Sequence, residues 1–399
     1  MNKNNPNQIG LKCGINSMTE TRKVKQIEVF ALSCAVDGGP VSTLALMPVR
    51  NGLLIRIEDE HGAFGWGEAW CNYPPKGNVA KLNLMQDPIG PMLVGRDVSD
   101  WRGVRPKLEN ELARMMIHTG EFGPFAHCLA AIDMAVADMA ARVAGVPMSR
   151  MLAEDPLAQA QVYASSPSAE APEELAARLT SEGHSGVKIK IGFDPERDRD
   201  VLSRFRAHDS QGMFVGVDAN QNWRVGQAIT AISDLAGFDL GFVEEPIMAD
   251  APRADWVRVA QLVDVPLAGG ENVTSASQFA DHVTTGSLKV IQPDVAKWGG
   301  ISGCFDAGRH ALAHGAGVTL HYMGTALGLA ASFHVLAALK ADGRVELDAN
   351  PNPLRTDLGD IALKPTNGYV PLPEGAGFGF VPDLEALKRF SVATITIKE

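Results

Sequence analysis

The stretch GVKIKIG, Gly186 to Gly192, sets two lysines two residues apart in an apolar run that alternates as a β-strand does. Side chains at i and i+2 of a strand point the same way, so Lys188 and Lys190 share one face while Val187, Ile189 and Ile191 take the other. If the shared face met water, this would be an edge strand guarded by lysine, the commoner setting for Lys-x-Lys. Otherwise the two ammonium groups line an internal site. The sequence on either side has to decide.

Working outward from Lys190, a polar residue ends each following apolar run at a steady beat. Asp218 comes 28 residues on, then Glu244 after 26, Glu271 after 27, Asp294 after 23, His321 after 27 and Glu346 after 25. The runs are VYASS, GVKIKIG, FVGVDAN, GFVEEP, VPLAGGEN, VIQPDVA, GVTLHYMG and RVELDAN, eight strand candidates. Helical stretches such as APEELAARLTSEG, GQAITAISDLAGF and SGCFDAGRHALAHG separate them. One strand and one helix per interval predict an α/β fold, a closed (β/α)8 TIM-type barrel whose strand ends converge on one mouth. An open doubly wound sheet is the rival architecture, but it calls for a Gly-rich phosphate turn after the first strand, and VYASSPSAEAPEEL has none.

Ahead of the barrel, GLLIRIEDEHGAFGWGEAW reads as two strands turning at DEHG, and HCLAAIDMAVADMAARVAGVP as a helix stopped by Gly145 and Pro147. The expected organisation is a polar extension over 1–23, an α+β capping domain over 24–150, the barrel over 151–350 and a turn-rich segment over 351–399 that returns to the capping domain.

Composition narrows the partners. The chain has 399 residues, 45% hydrophobic and 21% charged, with a net charge of −11 and no basic run, so neither nucleic acid nor a membrane is an expected partner. Its five cysteines are scattered with no C-x-x-C pair, as in a reducing compartment. The opening residues are polar and lack an apolar leader, and no run of about 18 apolar residues occurs, so a cytoplasmic location is expected.

Asp218, Glu244 and Glu271 end three successive strand candidates. Carboxylates meeting at one mouth repel each other unless a cation neutralises them, and all-oxygen ligation from rigid strand ends suits Mg²⁺. Lys188 and Lys190 then face the same mouth, and a lysine beside a divalent cation and another lysine is expected to lose its proton more readily, as a general base requires. Asp294 and His321 end the next two runs, where a carboxylate on one imidazole nitrogen sets the tautomer and basicity of the other. His310, His314 and His334 fall in helical stretches and are read as packing residues.

These residues carry a resemblance. GWGEA, AAIDMAVADMAARVAGVP, KIK, VDAN, VEEP, GGEN, QPDVAKWGGIS and GLAASFHVLAAL, in that order, resemble the enolase superfamily, mandelate racemase subgroup (mandelate racemase/muconate lactonizing enzyme-like, acid-sugar dehydratase type), from about Val24 onward. The resemblance implies Asp218, Glu244 and Glu271 as Mg²⁺ ligands, Lys190 as an acid/base, and Lys188 as its partner on the substrate carboxylate. It further implies Asp294 and His321 as a His-Asp dyad, and Glu346 as an acid hydrogen-bonded to an enolate oxygen. Asn220 would line the site beside the metal, and Lys297 would be a supporting contact.

The implied chemistry is removal of the proton α to a carboxylate of a small molecule. Protonation of a departing β-hydroxyl then gives dehydration of an acid sugar or small hydroxy acid to a 2-keto acid. Reprotonation from the other face gives a racemase or epimerase, and a catalytically silent relative is a third possibility. Two segments of the capping domain are candidate lids: VDGGPVSTLALMPVRN (Val36 to Asn51) and AWCNYPPKGN (Ala69 to Asn78), the second bringing Trp70, Asn72 and Tyr73. A homo-oligomer is expected from the resemblance.

Overall fold

The computed structural model describes Met18, residues 20–43 and residues 46–399; the remaining residues of the expected extension, and Leu44 and Ala45 of the first lid, lie outside the described residues. Strands β1 (Val24–Ala35), β2 (Val49–Asp59) and β3 (Phe64–Ala69) form an antiparallel meander, with β2 and β3 joined by the expected turn. The GWGEA motif is legible in the packing of β3. Gly65 and Gly67 share the face turned to the helix Phe122–Ala144, where an added Cβ would stand 2.0 Å from the Ala135 carbonyl oxygen or 1.9 Å from that of Ala131. Only glycine lets a strand lie this close to a helix backbone. That helix is also long and apolar enough to cross a membrane by composition, but it lies in the protein core.

The barrel strands are β4 (Gln159–Ser165), β5 (Gly186–Lys190), β6 (Phe214–Asp218), β7 (Phe242–Glu244), β8 (Leu267–Gly269), β9 (Val290–Ile291), β10 (Gly317–Val318) and β11 (Val345–Asp348). They pair in parallel in chain order from β4 to β10, β11 returns beside β4, and a Leu320–Val345 bridge joins the two ends of the ring. Helices alternate with the strands, as the spacing predicted. The last strands are shorter than their apolar runs. Pro293, which has no N–H, interrupts the ladder in VIQPDVA, and beyond β9 and β10 the contact continues as single bonds such as Gln292 N to Gly269 O (2.8 Å) and Thr319 N to Ile291 O (3.0 Å).

The C-terminal segment divides. Strand β12 (Tyr369–Pro371) pairs antiparallel with β4, whereas β13 (Ser391–Lys398) adds to β1 and completes the capping sheet.

Polar staples hold the cap on the barrel. Alternation turns Glu68 away from the helix that Gly65 and Gly67 face, and its buried carboxylate accepts bonds from Thr325 N (2.8 Å), Thr325 Oγ1 (2.5 Å), Tyr322 Oη (2.6 Å) and Gly328 N (3.0 Å). It thereby caps the helix Ala326–Leu339 and ties down the loop that follows His321. Asp133 does the same for Ser302 N (2.9 Å), and Asn72 Nδ2 donates to Met323 O (2.6 Å). Glu68→Ala is expected to strand these donors in the interior and lower the unfolding free energy by about 2–4 kcal/mol in a urea titration. A change below about 0.5 kcal/mol, the range of an ordinary surface substitution, would show that the cap is held elsewhere.

Candidate active site

Lys190, Asp218 and Glu244 close β5, β6 and β7, and the sheet register sets Lys190 beside Asp218 and Asp218 beside Glu244. Strand β5 lies between β4 and β6, so the solvent-edge reading of its two lysines is excluded. Lys188 is 1% exposed, with Nζ 2.7 and 2.8 Å from the Glu244 carboxylate oxygens, 3.0 Å from Glu346 Oε1 and 3.4 Å from Asp218 Oδ2. Burial alone would depress its pKa, but Glu244 and Glu346 outweigh it and hold the ammonium charged well above the ordinary lysine range. With no cation among them, the carboxylates around Lys188 oppose the loss of its proton. Lys190 is half-buried, and its Nζ reaches Asp218 Oδ2 at 2.5 Å.

Glu271 follows β8, and Asp294 and His321 lie just beyond β9 and β10. His321 Nδ1 is 2.6 Å from Asp294 Oδ2, and its Nε2 is 3.1 Å from Glu271 Oε2 and 3.5 Å from Glu346 Oε2. Burial would lower the imidazole pKa, but Glu271, Glu346 and the Asp294 hydrogen bond push it up to about 9. Glu346, on β11, accepts from the Ser165 hydroxyl and from Tyr322 N (3.2 Å). Lys297 Nζ bonds Glu271 Oε2 (2.8 Å) and Asn272 Oδ1 (2.9 Å) beneath the Trp70 ring, whose centroid is 4.5 Å away.

These groups surround a cavity of about 390 Å³. Lys190, Asn220, Glu271, Lys297, His321 and Glu346 form its floor, with Trp70, Asn72, Tyr73 and part of the first lid above. Lys188, Asp218, Glu244 and Asp294 are not wall residues; they lie behind it, bonded to those that are. Asn220 Nδ2 is 3.3 Å from Asp218 Oδ2, in keeping with its shared face. Asn72 spends its amide on the Met323 carbonyl.

Sequence reasoning missed two buried polar groups. Gln292 donates to Glu244 at 2.6 Å, and the same i, i+2 rule applied to Gln292 and Asp294 would have found it. Glu245, second in VEEP, lines the cavity and accepts from Gln221 (2.9 Å) and Asn272 (2.9 Å). Strand alternation would aim it outward, but the strand ends at Glu244 and Glu245 takes a positive φ of 39°.

The charges at this mouth do not balance. The carboxylates of Asp218, Glu244, Glu245, Glu271, Asp294 and Glu346 face only the ammonium groups of Lys188, Lys190 and Lys297 and the His321 imidazole. Burial and the neighbouring Asp218 push the Glu244 pKa up to about 8, and burial with Glu271 and Asp218 pushes Glu245 up to about 7, which marks the excess of negative charge. Six acid side chains thus meet four basic groups, and the upward shifts of Glu244 and Glu245 show protons offsetting part of the excess, a role a divalent cation could take over. An all-carboxylate donor set of this kind fits Mg²⁺. Among the described residues no three acid, His or Cys side chains already stand in ligand geometry, since Lys188 joins Asp218 to Glu244 while Glu271 is turned onto Lys297 and His321.

Comparison with known proteins is extensive. Residues 27–153 match the family model for the mandelate racemase/muconate lactonizing enzyme N-terminal domain, and residues 170–387 the enolase C-terminal domain-like model. The chain is 29% identical to D-galactarolactone cycloisomerase of Agrobacterium fabrum, covering 92% of this chain and 98% of that one. It is 36% identical to a mandelate racemase/muconate lactonizing enzyme structure from Bordetella bronchiseptica RB50, with a TM-score of 0.86 over 93% of this chain and 99% of that one. A Streptomyces coelicolor A3(2) racemase solved with bound magnesium is 25% identical, with a TM-score of 0.82 over 92% and 100% of the two chains. Further relatives include dehydratases and an epimerase.

Proposed function

The chain belongs to the mandelate racemase/muconate lactonizing enzyme family of the enolase superfamily, and from that premise we propose that it removes the proton α to a carboxylate and dehydrates a hydroxy acid or acid sugar to a 2-keto acid. One observation carries this reading: Lys190 and the Asp294-paired His321 line a single cavity, with the acids Asp218, Glu244 and Glu271 gathered at and behind its wall.

Asp218, Glu244 and Glu271 would hold Mg²⁺. When bound, it supplies positive charge against the substrate carboxylate and the negative charge that develops on losing the α-proton. Lys190, on the second barrel strand, is placed to take that proton at Nζ. His321, just beyond the seventh, would hold a proton at Nε2 for the departing β-hydroxyl, while Asp294 keeps the ring oriented through Nδ1. Glu346 stands 3.5 Å from His321 Nε2 and 3.0 Å from Lys188 Nζ; burial would raise its pKa, but Lys188 and His321 lower it, so it would donate to the enolate oxygen only after taking up a proton. Lys188 acts from behind, holding Glu244 and Glu346 in place.

The alternative is 1,1-proton transfer, in which Lys190 and His321 serve opposite faces of the α-carbon as a racemase or epimerase. The test is a library of hydroxy and sugar acids incubated with Mg²⁺, assayed for 2-keto acid and, in parallel, by polarimetry. Keto-acid release supports dehydration; loss of optical rotation without keto acid moves the assignment to the racemase; neither, across the library, overturns the reading.

A further inference from the structure

The first lid connects β1 to β2, and its two legs are bonded to each other: Val36 N donates to Pro48 O (2.9 Å) and Met47 N to Pro40 O (3.1 Å). Pro40, Val41, Ser42, Thr43 and Met47 line the cavity. Thr43 Oγ1 reaches Ala219 O at 3.4 Å, long for a hydrogen bond. A firmer hold on the barrel lies at the stem.

Arg50 ends the lid on β2, opposite Cys34 of β1, and is 1% exposed. Its Nη2 donates to Asp348 Oδ2 (2.7 Å) and its Nε to Pro351 O (3.1 Å). Asp348 stands two residues beyond Glu346 on β11, so the strand that brings Glu346 to the cavity also carries the lid's anchor. Asp348 Oδ1 accepts from Asn350 N and Nδ2, both at 3.0 Å. Asn350 Nδ2 also donates to Ser166 O beyond β4 (3.0 Å), and Asn352 Nδ2 to Gly324 O beyond β10 (2.9 Å). This turn therefore joins the loops after three adjacent barrel strands, and Arg50 is the cap side chain held in it. Two residues on, Gly52 lies so near the barrel that an added Cβ would stand 2.9 Å from Thr325 Cγ2.

Burying an ion pair costs desolvation, which the attraction offsets only when the remaining donors are bonded too. Arg50 Nη1 is buried and, among the described residues, has no partner. A pair of this kind adds little to stability, and its best-attested role is to fix register. We infer that Arg50 is a positioning residue, whose pairing with Asp348 sets the first lid over the mouth and so retains the substrate in the cavity. The kinetic consequence rests on the enolate reading above; the anchoring does not.

The experiment compares the wild type with Arg50→Met, Arg50→Lys and the double variant Arg50→Met/Asp348→Asn, which removes the pair without stranding either charge. Amide hydrogen exchange of the peptides holding Val36 and Met47 reports on the lid. Calorimetry gives affinity for an acid that the wild type binds, and kinetics give KM and kcat where it is turned over. In Arg50→Met and the double variant, lid exchange should quicken by about tenfold or more while the barrel helices keep the wild-type rate. Affinity should fall and KM rise by about tenfold with kcat within about threefold, the mark of lost binding rather than lost chemistry. Arg50→Lys, which keeps a cation for Asp348, should fall between. Lid exchange at the wild-type rate in both variants overturns the inference, as does a released lid with unchanged affinity. Exchange quickened equally across the fold, or failure of both variants to fold, makes the pair structural only and overturns it as well. If the wild type exchanges the α-proton of no acid, the enolate reading falls, and lid exchange still decides the anchoring.

Discussion

Lys190→Ala is expected to abolish both turnover and α-proton exchange with D₂O, a loss of roughly 10²–10⁴-fold for removing a positioned general base. Lys190 is the half-buried lysine of the β5 pair and the one that reaches the cavity, whereas Lys188 is locked by Glu244, Glu346 and Asp218 and cannot substitute for it. The substitution removes a side chain from a wall rather than from the packed core, so the urea midpoint should move little. Exchange at the wild-type rate in Lys190→Ala would mean that another group takes the proton.

His321→Asn separates the two steps. The Asn side chain keeps a donor near Asp294 Oδ2 but has no titrating nitrogen to pass a proton to a leaving hydroxide. Keto-acid release should fall by about 10²–10⁴-fold while exchange of the α-proton, assigned above to Lys190, should persist. Undiminished dehydration would remove His321 from the acid's role. Loss of exchange from only one substrate enantiomer, with no dehydration in the wild type, would establish the two-face racemase instead.

The arrangement was legible in sequence to different depths. The beat from Lys190 to Glu346 gave the barrel and seven strand-end residues, because one β/α unit has a nearly fixed length and strand alternation fixes which face each residue takes. Alternation says nothing about depth along the barrel axis. Lys188 and Lys190 share a face, yet one is sealed beneath the floor and the other lines the cavity. Nor does it survive the end of a strand: Glu245 reaches the site through a left-handed backbone turn that no period predicts. Glu68 was beyond reach for another reason. Its partner Thr325 is 257 residues away, and a carboxylate in GWGEA gives no sign of which helix N-terminus it will cap.

The function proposed for this protein is to break a C–H bond α to a carboxylate in a site that would hold a divalent cation. Its most direct test is ¹H NMR in D₂O of an acid bound by the wild-type protein, with Mg²⁺ present and after chelation. The α-proton signal of substrate or product should wash out with Mg²⁺ and persist after chelation, with the far-ultraviolet circular dichroism unchanged. Conversion of a substrate with its α-proton fully retained, or exchange indifferent to the metal, would contradict it.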